Sequence, residues 1–121
     1  VTWPGGCAKA RAEIDHAAYW KYVVRRPFSG EKRGSFALPG SNFFLAPARS
    51  SPKEIDAARS LLEREHRALR ELVEELPEHA FAARFGRWTG EAVISGAAAH
   101  DLYHAGQIQL LRKLAAGKSL A

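Results

Sequence analysis

The sequence predicts an all-α helical bundle, and three observations carry that prediction. Three long stretches place apolar residues at the 3.6-residue period of a helix face. No stretch alternates apolar and polar residues as a half-buried strand does. Proline and most of the glycines collect between the periodic stretches rather than inside them. With 121 residues and 46% apolar content, the chain has the size of one compact unit with one core.

The first helix is expected from about Ala8 to Arg26, with Ile14, Ala17, Ala18, Trp20, Tyr22 and Val24 supplying apolar surface. Pro27 is expected to end it. Residues 27–51 hold three Pro, three Gly and five Ser without helical periodicity, which predicts a long connection. Its "SFALPGSNFFLA" portion is too aromatic for a solvated linker, so Phe36, Phe43, Phe44 and Leu45 are expected to pack back onto the helices.

A capping box opens the second helix. Ser51 stands at the cap, Pro52 at the first helical position and Glu54 three residues after the serine. Ile55, Ala58, Leu61, Leu62, His66, Leu69, Leu72 and Val73 continue at helical spacing to about Leu76, and Pro77 stops the run. Glu63, Glu65, Glu71, Glu74 and Glu75, with nearby arginines, read as a solvated, salt-bridged face. "EHAFAARFGRWTG" bridges to a third helix that starts near Gly90 and ends where Gly117 can turn left-handed. Helices of these lengths predict an antiparallel bundle.

The net charge of +5 raises nucleic acid as a partner, but the basic residues are divided around an acidic middle. Lys plus Arg outnumber Asp plus Glu eight to three over residues 1–51 and five to two over 82–121, whereas acids lead eight to five over 52–81. That division suits complementary packing better than a phosphate-tracking stripe, so nucleic acid is not the expected partner. Apolar runs fall well short of the roughly 20 residues of a membrane span, and the N-terminal "VTWPGGCAKARAE" lacks a secretory pattern, so a cytoplasmic protein is expected. Cys7 is the single cysteine, which rules out an internal disulfide and a multi-thiolate metal site. No phosphate-binding glycine loop and no dinucleotide fingerprint is present.

The chemistry concentrates in "HDLYHAGQIQLL". Residues four apart lie one turn apart on the same side of a helix, so His100 and His104 aim at a common point and make half of a divalent-metal site. His16, in the middle of the first helix, reaches the pair if that helix lies alongside. Asp101 points about 100° away from His100 and reads as a group supporting the ligands or as a surface residue. Gln107, one turn beyond His104, either hydrogen-bonds a ligand or caps a buried polar gap. His66 is open to three readings: a fourth ligand, a proton shuttle or a hydrogen-bonded core histidine.

These residues resemble a known family. "AAAHDLYHAGQIQLLRKL" is similar to the C-terminal signature of the DinB-like proteins, a DNA-damage-inducible four-helix-bundle family that includes the YfiT-like thiol transferases. "HAAYWKYVVRRPFSGEK" resembles the family's second helix and following loop, and with "REHRALRELVEELP" the resemblance covers most of the chain. It implies a DinB/YfiT-like bundle over residues 1–121 as a single domain, with a three-histidine metal site at His16, His100 and His104. Relative to the family the chain is expected to be short at its N-terminus by one helix. The face so exposed is expected to be covered by a partner subunit, in a homodimer, or by the aromatic loop.

Three imidazoles leave a zinc, nickel or iron ion with an open coordination position. The resemblance implies metal-dependent transfer onto, or hydrolysis of, a small substrate, with a low-molecular-weight thiol as cosubstrate. The rival expectation is a non-catalytic, stress-associated binding or metal-sensing module, which a fourth protein ligand such as His66 would favour.

Overall fold

The computed structural model describes residues 7–44 and 50–117, with side chains from Arg11 onward; the expected packing of Leu45 and the surroundings of the Cys7 thiol lie outside the described residues. The fold is all-α: helix α1 spans Cys7–Ser29, α2 Pro52–Glu75, the single-turn α3 His79–Ala82 and α4 Gly90–Ala115. Among the described residues, no helix is long and apolar enough to cross a membrane.

Helix α2 starts as the capping box requires. Ser51 Oγ accepts the Glu54 backbone N–H at 3.2 Å, and Pro52 follows the cap. At the far end of α4, Gly117 takes φ 67° and its N–H reaches the Leu114 carbonyl at 3.1 Å.

Helix α1 runs past Pro27 to Ser29, three residues further than expected. In a last turn, proline costs one hydrogen bond rather than breaking a ladder on both sides. The extension is useful because it carries Phe28 onto Phe85, with ring centroids 4.6 Å apart. Termination falls to Gly30, whose φ of 72° is open to glycine and whose N–H closes on the Arg26 carbonyl at 3.0 Å.

The bridge between α2 and α4 also differs from expectation. Besides α3 it holds a two-residue antiparallel ribbon, β1 Arg84–Phe85 and β2 Trp88–Thr89, paired Arg84 with Thr89 and Phe85 with Trp88. Strands of two residues are too short to show alternation. The local signal is Gly86 at φ 63°, the first central position of a tight hairpin turn.

Helix α1 lies between α2 and α4 and packs on both. Its buried Ala17, Ala18, Tyr22 and Val24 form the core with Ala58, Leu61 and Leu69 of α2. Ion pairs reveal helix direction. Arg11 bonds Glu54 at 2.6 Å and Arg25 bonds Glu65, so α2 runs parallel to α1. Glu13 meets His104, and Lys21 meets Asp101, so α4 runs antiparallel to it. The antiparallel expectation therefore holds for α1 with α4 but not for α1 with α2. A connection over residues 30–51 is long enough to carry the chain back along a helix of roughly 35 Å. Glu65 is accordingly not on the solvated face; its side chain is 14% exposed against Arg25, while the Arg70–Glu74 pair does lie in solvent.

The connection folds over α1 as an aromatic cap. Phe36 and Phe44 meet the Tyr19 ring edge-on at 5.4 and 5.7 Å, and Ser35 donates its N–H to the Tyr22 hydroxyl at 3.1 Å. The side-chain hydrogen bond between Ser35 Oγ and that hydroxyl, at 3.3 Å, is the main cause holding the Tyr22 phenol below its ordinary pKa.

Candidate metal centre

Antiparallel packing of α1 on α4 brings His16, in the middle of α1, against the His100 and His104 pair. The three imidazoles each offer one nitrogen, and those nitrogens lie within 4.8 Å of one another. His16 and His104 are buried, with 5% and 4% exposure, and His100 is half-buried.

Hydrogen bonding fixes two of the rings. His16 Nδ1 lies 2.8 Å from the Asn42 carbonyl oxygen, which only accepts, so Nδ1 carries the proton and Nε2 is left with its lone pair. His104 Nδ1 meets the Glu13 carboxylate, which leaves its Nε2 in the same state. His104 Nε2 and His100 Nε2 are 3.0 Å apart. Two lone pairs at that distance repel unless a proton or a cation lies between them. Metal–nitrogen bonds of about 2.1 Å at tetrahedral angles place ligand nitrogens about 3.4 Å apart, so the donor set fits a divalent ion. Burial, and then the neighbouring His104 and His16 charges, pull the His100 pKa below 6.5 and favour its neutral, ligating form.

Asn42 holds the loop side of the centre. It stands at φ 65°, a conformation asparagine tolerates, and its side-chain oxygen accepts the Trp20 indole N–H at 3.1 Å. Phe43, beside it, stacks flat on His16 with ring centroids 4.0 Å apart and planes within 1°. The loop thus contributes a carbonyl and a ring to the centre, which gives functional content to its packing on α1.

The supporting residues fall differently from the sequence expectations. Asp101 pairs with the buried Lys21 ammonium. His66 is exposed and sits outside the cluster, with Nδ1 3.1 Å from Lys21 Nζ, so the fold puts it neither among the clustered imidazoles nor in a dry core. Gln107 donates to the Tyr103 hydroxyl at 3.1 Å, while its buried Oε1 has no partner. Glu13 was not anticipated. Its signal was present in the chain, since a carboxylate three residues before His16 shares that helix face.

Glu13→Gln is expected to weaken metal affinity roughly 10- to 100-fold, the usual effect of removing a carboxylate behind a histidine ligand. A chelator-competition titration reads this directly. An unchanged affinity would show that the carboxylate does nothing for His104.

Two antiparallel helices carrying three convergent imidazoles, two of them oriented through Nδ1, define a helical scaffold with a cluster able to hold a metal ion. The model of the DinB superfamily matches residues 7–108, and the chain belongs to that superfamily. Comparison with curated proteins and with solved structures gave no match.

Proposed function

We propose that His16, His100 and His104 bind one divalent ion, zinc, nickel or iron, and that the protein uses it to transfer a low-molecular-weight thiol onto a small substrate. The observation that carries this reading is the pair of outward-facing Nδ1 contacts, to Glu13 and Asn42, which leaves the Nε2 lone pairs facing inward. Once bound, such an ion supplies Lewis acidity at an open position, where it lowers the pKa of a thiol or a water.

The chain's own residues do the positioning. Glu13 and Asn42 keep two rings in the ligating tautomer, and Phe43 and Trp20 shield His16 and His100 on the loop side. In the transfer, the thiol sulfur forms a bond to an electrophilic carbon, whose leaving group departs with the bonding pair and takes up the thiol proton. Hydrolysis of the same substrate class would use water in place of the thiol. A fourth protein ligand would favour the non-catalytic reading, and His66 lies against Lys21, outside the clustered imidazoles.

Zinc-loaded protein incubated with a small thiol and an activated aryl electrophile should consume both in equal amounts. Consumption that persists at the same rate after chelation would refute metal-dependent transfer.

A further inference from the structure

We propose that the groove between α1 and α4 next to the histidine cluster receives the flat, apolar, uncharged body of the substrate. This rests on the metal-centre reading and adds the substrate class to it. The groove encloses about 330 Å³ and is lined by Trp20 and Val24 of α1, by Trp88 of the ribbon, and by Gly96 and Ala97 of α4. His100 belongs both to its lining and to the histidine cluster, so a group lodged there lies beside the metal centre. A cavity of this size is at the small end of those that hold organic ligands.

Its wall chemistry selects against charge. Lys21 and Asp101 are the ionic groups on the lining, and they neutralise each other. The Lys21 side chain is only 6% exposed, and His66 Nδ1 takes a second contact with its ammonium at 3.1 Å. A ligand carboxylate would have to break that pairing, and a ligand cation would have to draw Asp101 away from Lys21, so the pocket favours neither. The aromatic walls are set in place independently. Asn42 holds the Trp20 indole by its N–H, and the Arg87 guanidinium lies over the Trp88 ring at 5.2 Å. Indoles held in this way present flat apolar surface to a ligand ring.

Gly96 makes the idea testable without damaging the fold. A Cβ there meets nothing within 4 Å, so a leucine grows into the groove, and leucine is the better helix former. The probe is 6-propionyl-2-(dimethylamino)naphthalene, which is neutral, flat and solvatochromic, titrated into zinc-loaded wild type, Gly96→Leu and His104→Ala. Wild type should give saturable, blue-shifted emission. Gly96→Leu should bind the probe at least about tenfold more weakly with its zinc content unchanged, and His104→Ala, which alters a residue outside the groove lining, should lose zinc while keeping the probe.

Equal probe affinity in wild type and Gly96→Leu, or no saturable binding to wild type, overturns the pocket even if zinc is bound. Light scattering accompanies the titration: a wild-type dimer that Gly96→Leu turns into a monomer makes the groove an interface between copies and overturns the proposal. Probe binding that responds to Gly96→Leu in a wild type that takes up no zinc upholds the pocket and refutes the metal reading.

Discussion

Purified wild type is expected to carry close to one metal ion per chain, and His104→Ala essentially none. The imidazole is 4% exposed and stands between the Glu13 carboxylate and the His100 ring. Its loss removes one of three ligand nitrogens. It also strands Glu13, whose carboxylate then lacks the ring N–H it accepts and sits, 18% exposed, behind an empty position. The effect should exceed the roughly 10- to 100-fold expected of Glu13→Gln, because a ligand is lost and not merely its support. Elemental mass spectrometry after dialysis against trace metal measures it. Asp101→Asn is the companion, expected to retain metal since Asp101 pairs with Lys21. Near-stoichiometric metal in His104→Ala would sink the assignment of the site.

Gly90→Ala is expected to destabilise the fold by about 2–3 kcal/mol, a steric cost of the size seen on overpacking. On helix propensity alone the sign would be opposite, alanine being favoured by about 1 kcal/mol. The difference lies across the chain: a Cβ on Gly90 would come within 2.2 Å of the Ala80 carbonyl oxygen and 3.2 Å of the Phe81 Cα. Both are backbone atoms of α3, so no rotamer change relieves the clash. The Gly90 N–H is also committed, to the Ala83 carbonyl at 2.9 Å, directly after the Thr89 cap of α4. Gly96→Ala, in open space, is the internal control and should gain about 0.5–1 kcal/mol. Urea unfolding of the two variants side by side checks both signs. Equal stability of Gly90→Ala and wild type would mean that α3 does not press on α4.

Much of this was legible along the chain because it depends on neighbours in sequence. Ser51 and Glu54 are three residues apart, so their capping interaction needs no tertiary contact. The alignment of His100 with His104 follows from helix geometry alone. The limits of such reasoning show equally clearly. Pro27 carries a genuine stop signal, but Phe28 finds Phe85 far along the chain and the helix continues. Asn42 gives no local hint that its carbonyl will orient His16, since that contact spans 26 residues. His66 has the register of a core residue on α2, and only the placement of Lys21 decides its partner.

The sequence by itself determined the three long helices, the Ser51 cap of α2, the Gly117 end of α4 and the pairing of His100 with His104, because each rests on hydrogen bonds and side-chain spacing within a turn or two. Only the tertiary structure decided that α2 runs parallel to α1, while α4 keeps the expected antiparallel direction. It also decided that Glu13 and Asn42 stand behind two of the imidazoles and that Lys21 draws Asp101 and His66 together. Those outcomes depend on how whole helix faces and a long connection bury apolar surface against one another. Distant residues are brought together by that burial, and no local spacing encodes which of them will meet.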